Sequence, residues 1–436
     1  MDIFRIQGGR RLEGCVPVEG SKNACLPILA ATISLNGTAV IERVPWLNDV
    51  QTMSELLKSI GVRVQRSAAS QLTIDPSSAA NPVAPYELVR KMRAGVCVLG
   101  PLLSRFGYAC VSLPGGCNIG HRPIDLHLKG LGALGADIRI QQGYVIAECK
   151  RLSGADINLG GPFGSTVTGT CNVMVAAATA RGQTIIRCAA MEPEVCDVGR
   201  FLIAAGAKID GLGTPVIEIQ GVEQLGHVHH SVITDRIEAG TLAIAIAMTH
   251  GKAEILNAPI ADMTSTLSAL REMNVIAEVK RPVAATDRQS DIGGEILEID
   301  GTADHRSGDL VAQPYPGLPT DMQAQFMAMM CVTPGVSVVT DRVFPDRFIH
   351  AAELVRMGAD IKVNNGSAVI RGVRTLSGAC VMASDLRASA ALVLAALAAE
   401  GESEIHRVYH LDRGYFEFEK KLNLLGGRVV REHAEE

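Results

Sequence analysis

The sequence predicts an α/β protein of two domains in which one helix-and-strand unit is repeated six times, three copies to a domain. Three observations lead there. Six segments are apolar around their whole circumference, the pattern of a buried helix. Their starts recur at roughly 70 to 80 residue intervals, which is how a repeated supersecondary unit announces itself. Six further segments read as an amphipathic helix that stops at Gly or Asn and passes into a strand.

The apolar segments are ACLPILAATISL from Ala24, GVCVLGPLL from Gly95, NVMVAAATA from Asn172, GTLAIAIAM from Gly240, MQAQFMAMMCV from Met322 and ASAALVLAALAA from Ala388. The amphipathic ones are LLKSIGVRV, GLGALGADIRI, LIAAGAKID, ELVRMGADIKV, LNLLGGRVV and ALREMNVIAEV. In the last of these Asn274 stands where the others have Gly, and Asn is the other residue that tolerates a left-handed helix cap.

A chain of 436 residues is long enough for two or three domains with real cores. Few aromatics and abundant Ala, Gly, Val, Ile and Leu suit this class. A formal net charge of −5 gives no general reason to expect nucleic acid or a membrane surface as partner, so an anionic ligand must be met by local Arg and Lys. The N-terminal MDIFRIQGGRRLEG has no apolar signal region and no apolar run reaches membrane-spanning length, so the expected location is cytoplasmic. The 11 cysteines form no CxxC pair and should mostly be free, buried thiols. No pattern calls for a cofactor or a metal.

Each buried helix is preceded by polar residues: Lys22-Asn23, Arg93, the run Ser165 to Thr170, Asp235 to Glu238, Thr320-Asp321 and Asp385-Leu386-Arg387. Helix N-termini carry free N–H groups and partial positive charge, where anions bind. Ser, Thr, Asp and Asn at such places also cap helices. Capping does not account for Lys22, Arg93 and Arg387, because a cation there opposes the helix dipole.

One loop stands out, LPGGCNIGHRPIDLHLKG. Pro114, Gly115 and Gly116 form a turn that presents Cys117, and Arg122 favours its thiolate. The alternative is an inert loop thiol. Two other motifs are decoys. GLGALG (Gly130 to Gly135) has the letters of a dinucleotide fingerprint, but helix precedes strand here, the reverse of what that site needs. HVHH (His227 to His230) lacks partner ligands at metal spacing and reads as solvated loop histidines.

GSKNACLPILAA, LPGGCNIGHRPIDLHLKGLGALGA, EPEVCD, DRIEAGT, YPGLPTDMQAQ, DLRASAALVLAALAAEG and HLDRGY resemble, in order, the motifs of the UDP-N-acetylglucosamine enolpyruvyl transferase family. The likeness runs from Ile6 to about Arg431. It implies the two-domain inside-out α/β barrel of the enolpyruvyl transferases, with an inserted domain at 22–231, a second domain from 1–21 plus 232–436, and the active site in the interdomain cleft. It also implies the reaction: transfer of the enolpyruvyl group of phosphoenolpyruvate to the 3-hydroxyl of UDP-N-acetylglucosamine with release of phosphate, the first committed step of peptidoglycan precursor synthesis. Both partners are small molecules.

Residue by residue, the resemblance gives Cys117 the role of proton donor to the enol or covalent carrier of phosphoenolpyruvate, two roles that need opposite protonation states. Asp321 becomes the base for the sugar hydroxyl, ionised if its pKa stays near the ordinary value of about 3.9. Lys22, Arg122 and Arg387, with Asn23, surround phosphoenolpyruvate; Lys22 and Arg387 also count as catalytic through charge stabilisation. For the UDP-sugar the matched positions are Asn23, Arg93, Arg122, Pro123, Ile124, Asp125, Leu126, Asp321 and Val343. The run Ser165, Thr166, Val167 and Thr168 fits the diphosphate.

Met191 stands where the family commonly has Arg, Pro345 and Asp346 where it has Glu-Asn, and His121 precedes Arg122. Two other readings share the fold: a related transferase acting on shikimate 3-phosphate, which lacks the PGGC loop, and a silent paralogue that only binds UDP-sugar.

Overall fold

In this computed structural model the structure describes residues 2–115, 124–280 and 295–433. The chain forms two compact units: one joins the N-terminal stretch up to Glu19 to everything from Thr234 onward, and the other runs from Gly20 to Ile233. Ser21 and Val232 stand with the second unit, where Ser21 N donates to Ile233 O at 2.7 Å and Val232 N to Glu42 O at 3.1 Å.

Six four-stranded sheets carry one topology. Val83–Ala84 runs parallel to Tyr108–Ser112, which pairs antiparallel with Tyr144–Glu148, which pairs antiparallel with Asp137–Gln141. The same order recurs in the other five, three sheets to a unit. One face of each sheet packs inward, so strands such as Val216–Gln220 alternate buried and exposed residues.

In each unit the first and last segments of the chain share a sheet. Val228–Ser231, last in its unit, lies parallel to Ala39–Glu42, first in the same unit. In the other unit Asp2–Gln7 inserts between Glu402–His406 and Val429–His433. The last three residues of HVHH are therefore strand, not loop, and His227 directly precedes it. His230 Nε2 lies 3.1 Å from buried Asp197 Oδ1, and His227 Nδ1 accepts from Thr38 N at 3.0 Å. Only long-range pairing with residues 39–42 makes a strand of a segment this polar.

The six apolar segments are buried: Lys22–Ala31, Leu99–Phe106, Val167–Ala177, Arg236–Met248, Gln323–Cys331 and Leu386–Ala398. The amphipathic helices cover the sheets and end as the sequence requires. Gly61, Gly135, Gly206, Gly358 and Gly426 have φ of 98°, 98°, 105°, 97° and 85°, and Asn274 has 67°. Gly holds that left-handed turn without strain and Asn at modest strain; His250, at φ 50°, takes it after the helix Arg236–Met248.

GLGALG covers the end of the helix Asp125–Ala133 and its cap, ahead of the strand Asp137–Gln141. Its Gly130 serves packing, since a Cβ there would stand 2.3 Å from Val173 Cγ2. The ten described cysteines are all free, but only half are buried; Cys15, Cys188 and Cys380 are exposed, against the expectation. Among the described residues no helix is long and apolar enough to cross a membrane.

Candidate active site

Asp321 lies in the short 3₁₀ turn Thr320–Met322 at the entry to the buried helix Gln323–Cys331, and that helix has no side-chain cap. Its carboxylate is held from both sides instead. Arg347 Nη1 donates to Oδ1 at 2.8 Å and to Thr320 Oγ1 at 3.0 Å; Arg387 Nη2 donates to Oδ2 at 2.9 Å. Both guanidiniums are buried, yet 25% of the Asp321 side chain stays exposed and open to a ligand. Burial would push its carboxyl up, but Arg387 and Arg347 together outweigh that and hold it well below the usual carboxylate range. The expectation of an ordinary pKa is thereby corrected: Asp321 is ionised, and a weak proton acceptor as it stands.

Arg387 is the second residue of Leu386–Ala398, whose first turn is capped by Asp385 Oδ1 accepting from Arg387 N at 3.0 Å and Ala388 N at 3.1 Å. Its guanidinium rests over the Tyr415 ring, 5.3 Å from the centroid. The Tyr415 hydroxyl is 3.0 Å from Thr241 Oγ1 of the helix Arg236–Met248, so that helix helps fix the ring under Arg387.

Arg347 is the residue that sequence reasoning missed. It follows the departures Pro345 and Asp346 in VFPDRFIH, and a cation set between Phe344 and Phe348 was the available signal. The turn closes with Arg347 N donating to Phe344 O at 3.0 Å, so the departures leave Arg347 aimed at Asp321. Asp341 ties the same loop down: its Oδ1 accepts from Val343 N at 2.9 Å and its Oδ2 from Thr320 Oγ1 at 2.6 Å. Val343 is thus fastened to the Asp321 turn.

In the Gly20–Ile233 unit, Lys22 opens the helix Lys22–Ala31, with Ser21 Oγ accepting from Ala24 N at 3.4 Å. Burial leaves Lys22 8% exposed, and its Nζ lies 3.3 Å from Asp49 Oδ2, the counter-charge that lets a cation sit at a helix N-terminus. Asn23 follows it, half-buried. Arg93 differs from the expectation: it opens a 3₁₀ stretch, Arg93–Val98, and the α-helix begins only at Leu99.

Buried His127 joins several matched positions. Its Nε2 is 3.1 Å from Thr168 Oγ1 and its Nδ1 is 3.0 Å from Asn172 Nδ2. Ile124, Asp125 and Leu126 therefore lie beside the run Thr166 to Thr168. Burial, and then the charge of Arg93, lower the His127 pKa to about 3, which puts Arg93 in the same neighbourhood and the imidazole in its neutral form. Thr166 Oγ1 accepts from Gly169 N at 3.2 Å, so this threonine is a cap. Ile124 is buried and Asp125 exposed. Cys117, Arg122 and Pro123, with His121, lie outside the described residues.

The sequence profile of the family described as EPSP synthase (3-phosphoshikimate 1-carboxyvinyltransferase) matches residues 6–422. A UDP-N-acetylglucosamine 1-carboxyvinyltransferase of Methylacidiphilum infernorum is 49% identical, covering 99% of both chains. One of the same name from Sorangium cellulosum is 48% identical over 99% of both. Among solved structures, an enolpyruvyl transferase from Streptomyces tendae aligns with a TM-score of 0.87 at 24% identity, covering 100% of this chain and 99% of that one. An EPSP synthase from Acinetobacter baumannii aligns with a TM-score of 0.73 at 18% identity, covering 99% and 100%.

Proposed function

Because the chain belongs to the enolpyruvyl transferase family, we propose that it moves the enolpyruvyl group of phosphoenolpyruvate onto the 3-hydroxyl of UDP-N-acetylglucosamine, releasing phosphate in the first committed step of peptidoglycan precursor synthesis. The acceptor follows from sequence: identity to the sugar-nucleotide enzymes is more than twice that to the EPSP synthase that shares the fold. The observation that carries the chemistry is Asp321, a reachable carboxylate gripped by two buried guanidiniums.

The reaction adds a proton to the methylene carbon of phosphoenolpyruvate and the sugar oxygen to its C2. A methyl proton and phosphate then leave, restoring the double bond. Asp321 takes the hydroxyl proton as the C–O bond forms. Cys117 supplies the proton to carbon or carries phosphoenolpyruvate covalently. Lys22, Arg122 and Arg387 hold its carboxylate and phosphate and stabilise the charge that develops as phosphate departs. Asn23, Arg93, Ile124, Asp125, Leu126, Thr166, Val167 and Val343, with Arg122 and Pro123, receive the UDP-sugar.

The low pKa of Asp321 gives this reading a trigger. While both arginines stay on Asp321, it binds a proton poorly. A substrate anion that shares the Arg387 guanidinium weakens that hold and raises the proton affinity of Asp321 when the acceptor hydroxyl arrives.

Inorganic phosphate release from phosphoenolpyruvate, measured with UDP-N-acetylglucosamine and with shikimate 3-phosphate, tests the proposal. Release with the UDP-sugar alone supports it. Release only with shikimate 3-phosphate, or with neither acceptor, overturns it, the second outcome in favour of a silent UDP-sugar binder.

A further inference from the structure

The C-terminal sheet carries a group of side chains with no part in the chemistry above. Cys380 lies on the edge strand Cys380–Met382, which runs parallel to Glu402–His406 with Cys380 opposite Glu404 and Met382 opposite His406. Residues two apart on a strand share a face. Glu404 and His406 therefore rise on one side of the sheet, next to Cys380. Cys380 Sγ is 3.1 Å from His406 Nε2, His406 Nε2 is 3.6 Å from Glu404 Oε2, and all three donor atoms lie within 4.8 Å of one another.

We propose that Cys380, Glu404 and His406 form a surface site for a zinc-class divalent cation. Thiolate, imidazole and carboxylate are the zinc ligand set, and two ligands of a tetrahedral ion stand about 3.5 Å apart at the usual bond lengths. The separations seen here fit that edge with only rotamer adjustment. The sulfur and nitrogen donors favour zinc-class ions over magnesium or calcium. Three protein ligands leave a fourth position to water.

The surroundings suit a cation. Arg5, on the neighbouring strand and directly opposite Glu404, forms an ion pair with it, Nη1 standing 2.8 Å from Oε1. That pairing fixes the carboxylate and leaves Oε2 turned toward His406, the service an outer partner performs for a metal ligand. The same guanidinium also meets Glu402 at 2.7 Å and Glu432 at 3.2 Å. Three carboxylates thus share one cation, so this face carries surplus negative charge. On the other side Glu353 Oε2 accepts from Met382 N at 2.9 Å and pairs with Arg356 Nε at 3.6 Å, while Arg356 Nη2 donates to Cys380 O at 3.0 Å, so there the edge strand is held by a charge-matched pair. A bound ion would replace the thiol proton in the Cys380–His406 contact and bolt a three-residue edge strand to its neighbour.

Cobalt(II) is a spectroscopic stand-in for zinc, and its thiolate charge-transfer band reports a Co–S bond directly. Titrating the intact protein should show one such site, displaced stoichiometrically by zinc(II). The band should vanish in Cys380→Ser, and affinity should fall by more than about tenfold, the loss that even an outer partner of a ligand produces, in His406→Gln and Glu404→Gln. Cys15→Ser, which alters another exposed thiol, should leave the band unchanged. Circular dichroism and thermal melting of each variant check that it is folded. A wild-type protein without the band, or a band that survives in folded Cys380→Ser, overturns the proposal and leaves a plain hydrogen-bonded Cys–His pair.

Discussion

Asp321 and Arg387 are 66 residues apart in the chain, yet Arg387 Nη2 lies 2.9 Å from Asp321 Oδ2, each at the start of a buried helix of its own repeat. The pair places a carboxylate and its counter-charge where two equivalent elements converge. A second guanidinium, Arg347, occupies the other carboxylate oxygen. The acid strength and orientation of Asp321 are therefore joint properties of three segments.

Asp321→Asn should lower kcat by about a hundred- to ten-thousandfold, the usual contribution of a positioned base. UDP-sugar affinity, read by calorimetry, should change far less. A variant with near-native turnover would remove Asp321 from the proton transfer.

Arg347→Met takes away one of the two charges that depress Asp321. Its carboxyl then rises toward the ordinary range, so the acid side of the kcat/KM profile moves toward neutral pH. Arg347→Lys restores the charge on a side chain of different reach and shape, and should recover only part of the loss of the Nη1 contacts to Asp321 and Thr320. Superimposable pH profiles for the native protein and Arg347→Met would show that Arg347 does not govern Asp321.

Fosfomycin, an epoxide that labels thiolates of this kind, should modify Cys117, and Cys117→Ser should lose both labelling and most turnover. Cys117→Asp keeps a proton donor without the nucleophile; substantial turnover in it assigns the acid role. Peptide mass spectrometry identifies the labelled thiol, and an adduct on another cysteine would mean that the wrong residue carries the chemistry.

His127 is buried neutral with its pKa lowered to about 3, whereas in the unfolded chain it titrates near the ordinary value of about 6.5. Because the folded value is the lower, its contribution to stability is fully present above about pH 6.5 and declines as pH falls toward the folded pKa. Between pH 7.5 and 5 that loss amounts to about 2 kcal/mol. Urea unfolding at both pH values should show a smaller difference for His127→Gln by that amount. An unchanged difference would mean that His127 is not held neutral.

Asn274 sits at φ 67° and donates from Nδ2 to Asp304 O at 2.8 Å. Asn274→Ala should destabilise by about 1–2 kcal/mol through left-handed strain alone. Asn274→Gly should be milder, since it loses only the hydrogen bond. Thermal melting that ranks the two variants the other way would contradict the cap.

Much of this molecule was decided by the sequence itself. Apolar circumference marked the six buried helices, and Gly or Asn at fixed places marked their amphipathic companions. Both are local signals: a helix apolar all round has nowhere to go but inside, and a left-handed cap excludes most side chains whatever surrounds it. The ordered motifs carried the family, and with it Lys22, Asp321 and Arg387 as candidates. Tertiary structure alone decided what these groups are chemically. The last three residues of HVHH become strand because residues 39–42 lie beside them. Arg93 begins a 3₁₀ stretch, and Asp321 holds its proton more weakly than an ordinary carboxyl because Arg347 and Arg387, 26 and 66 residues away, reach it in a partly dry site. Charge–charge interactions depend on distance and burial in space, and neither is written in the local order of residues.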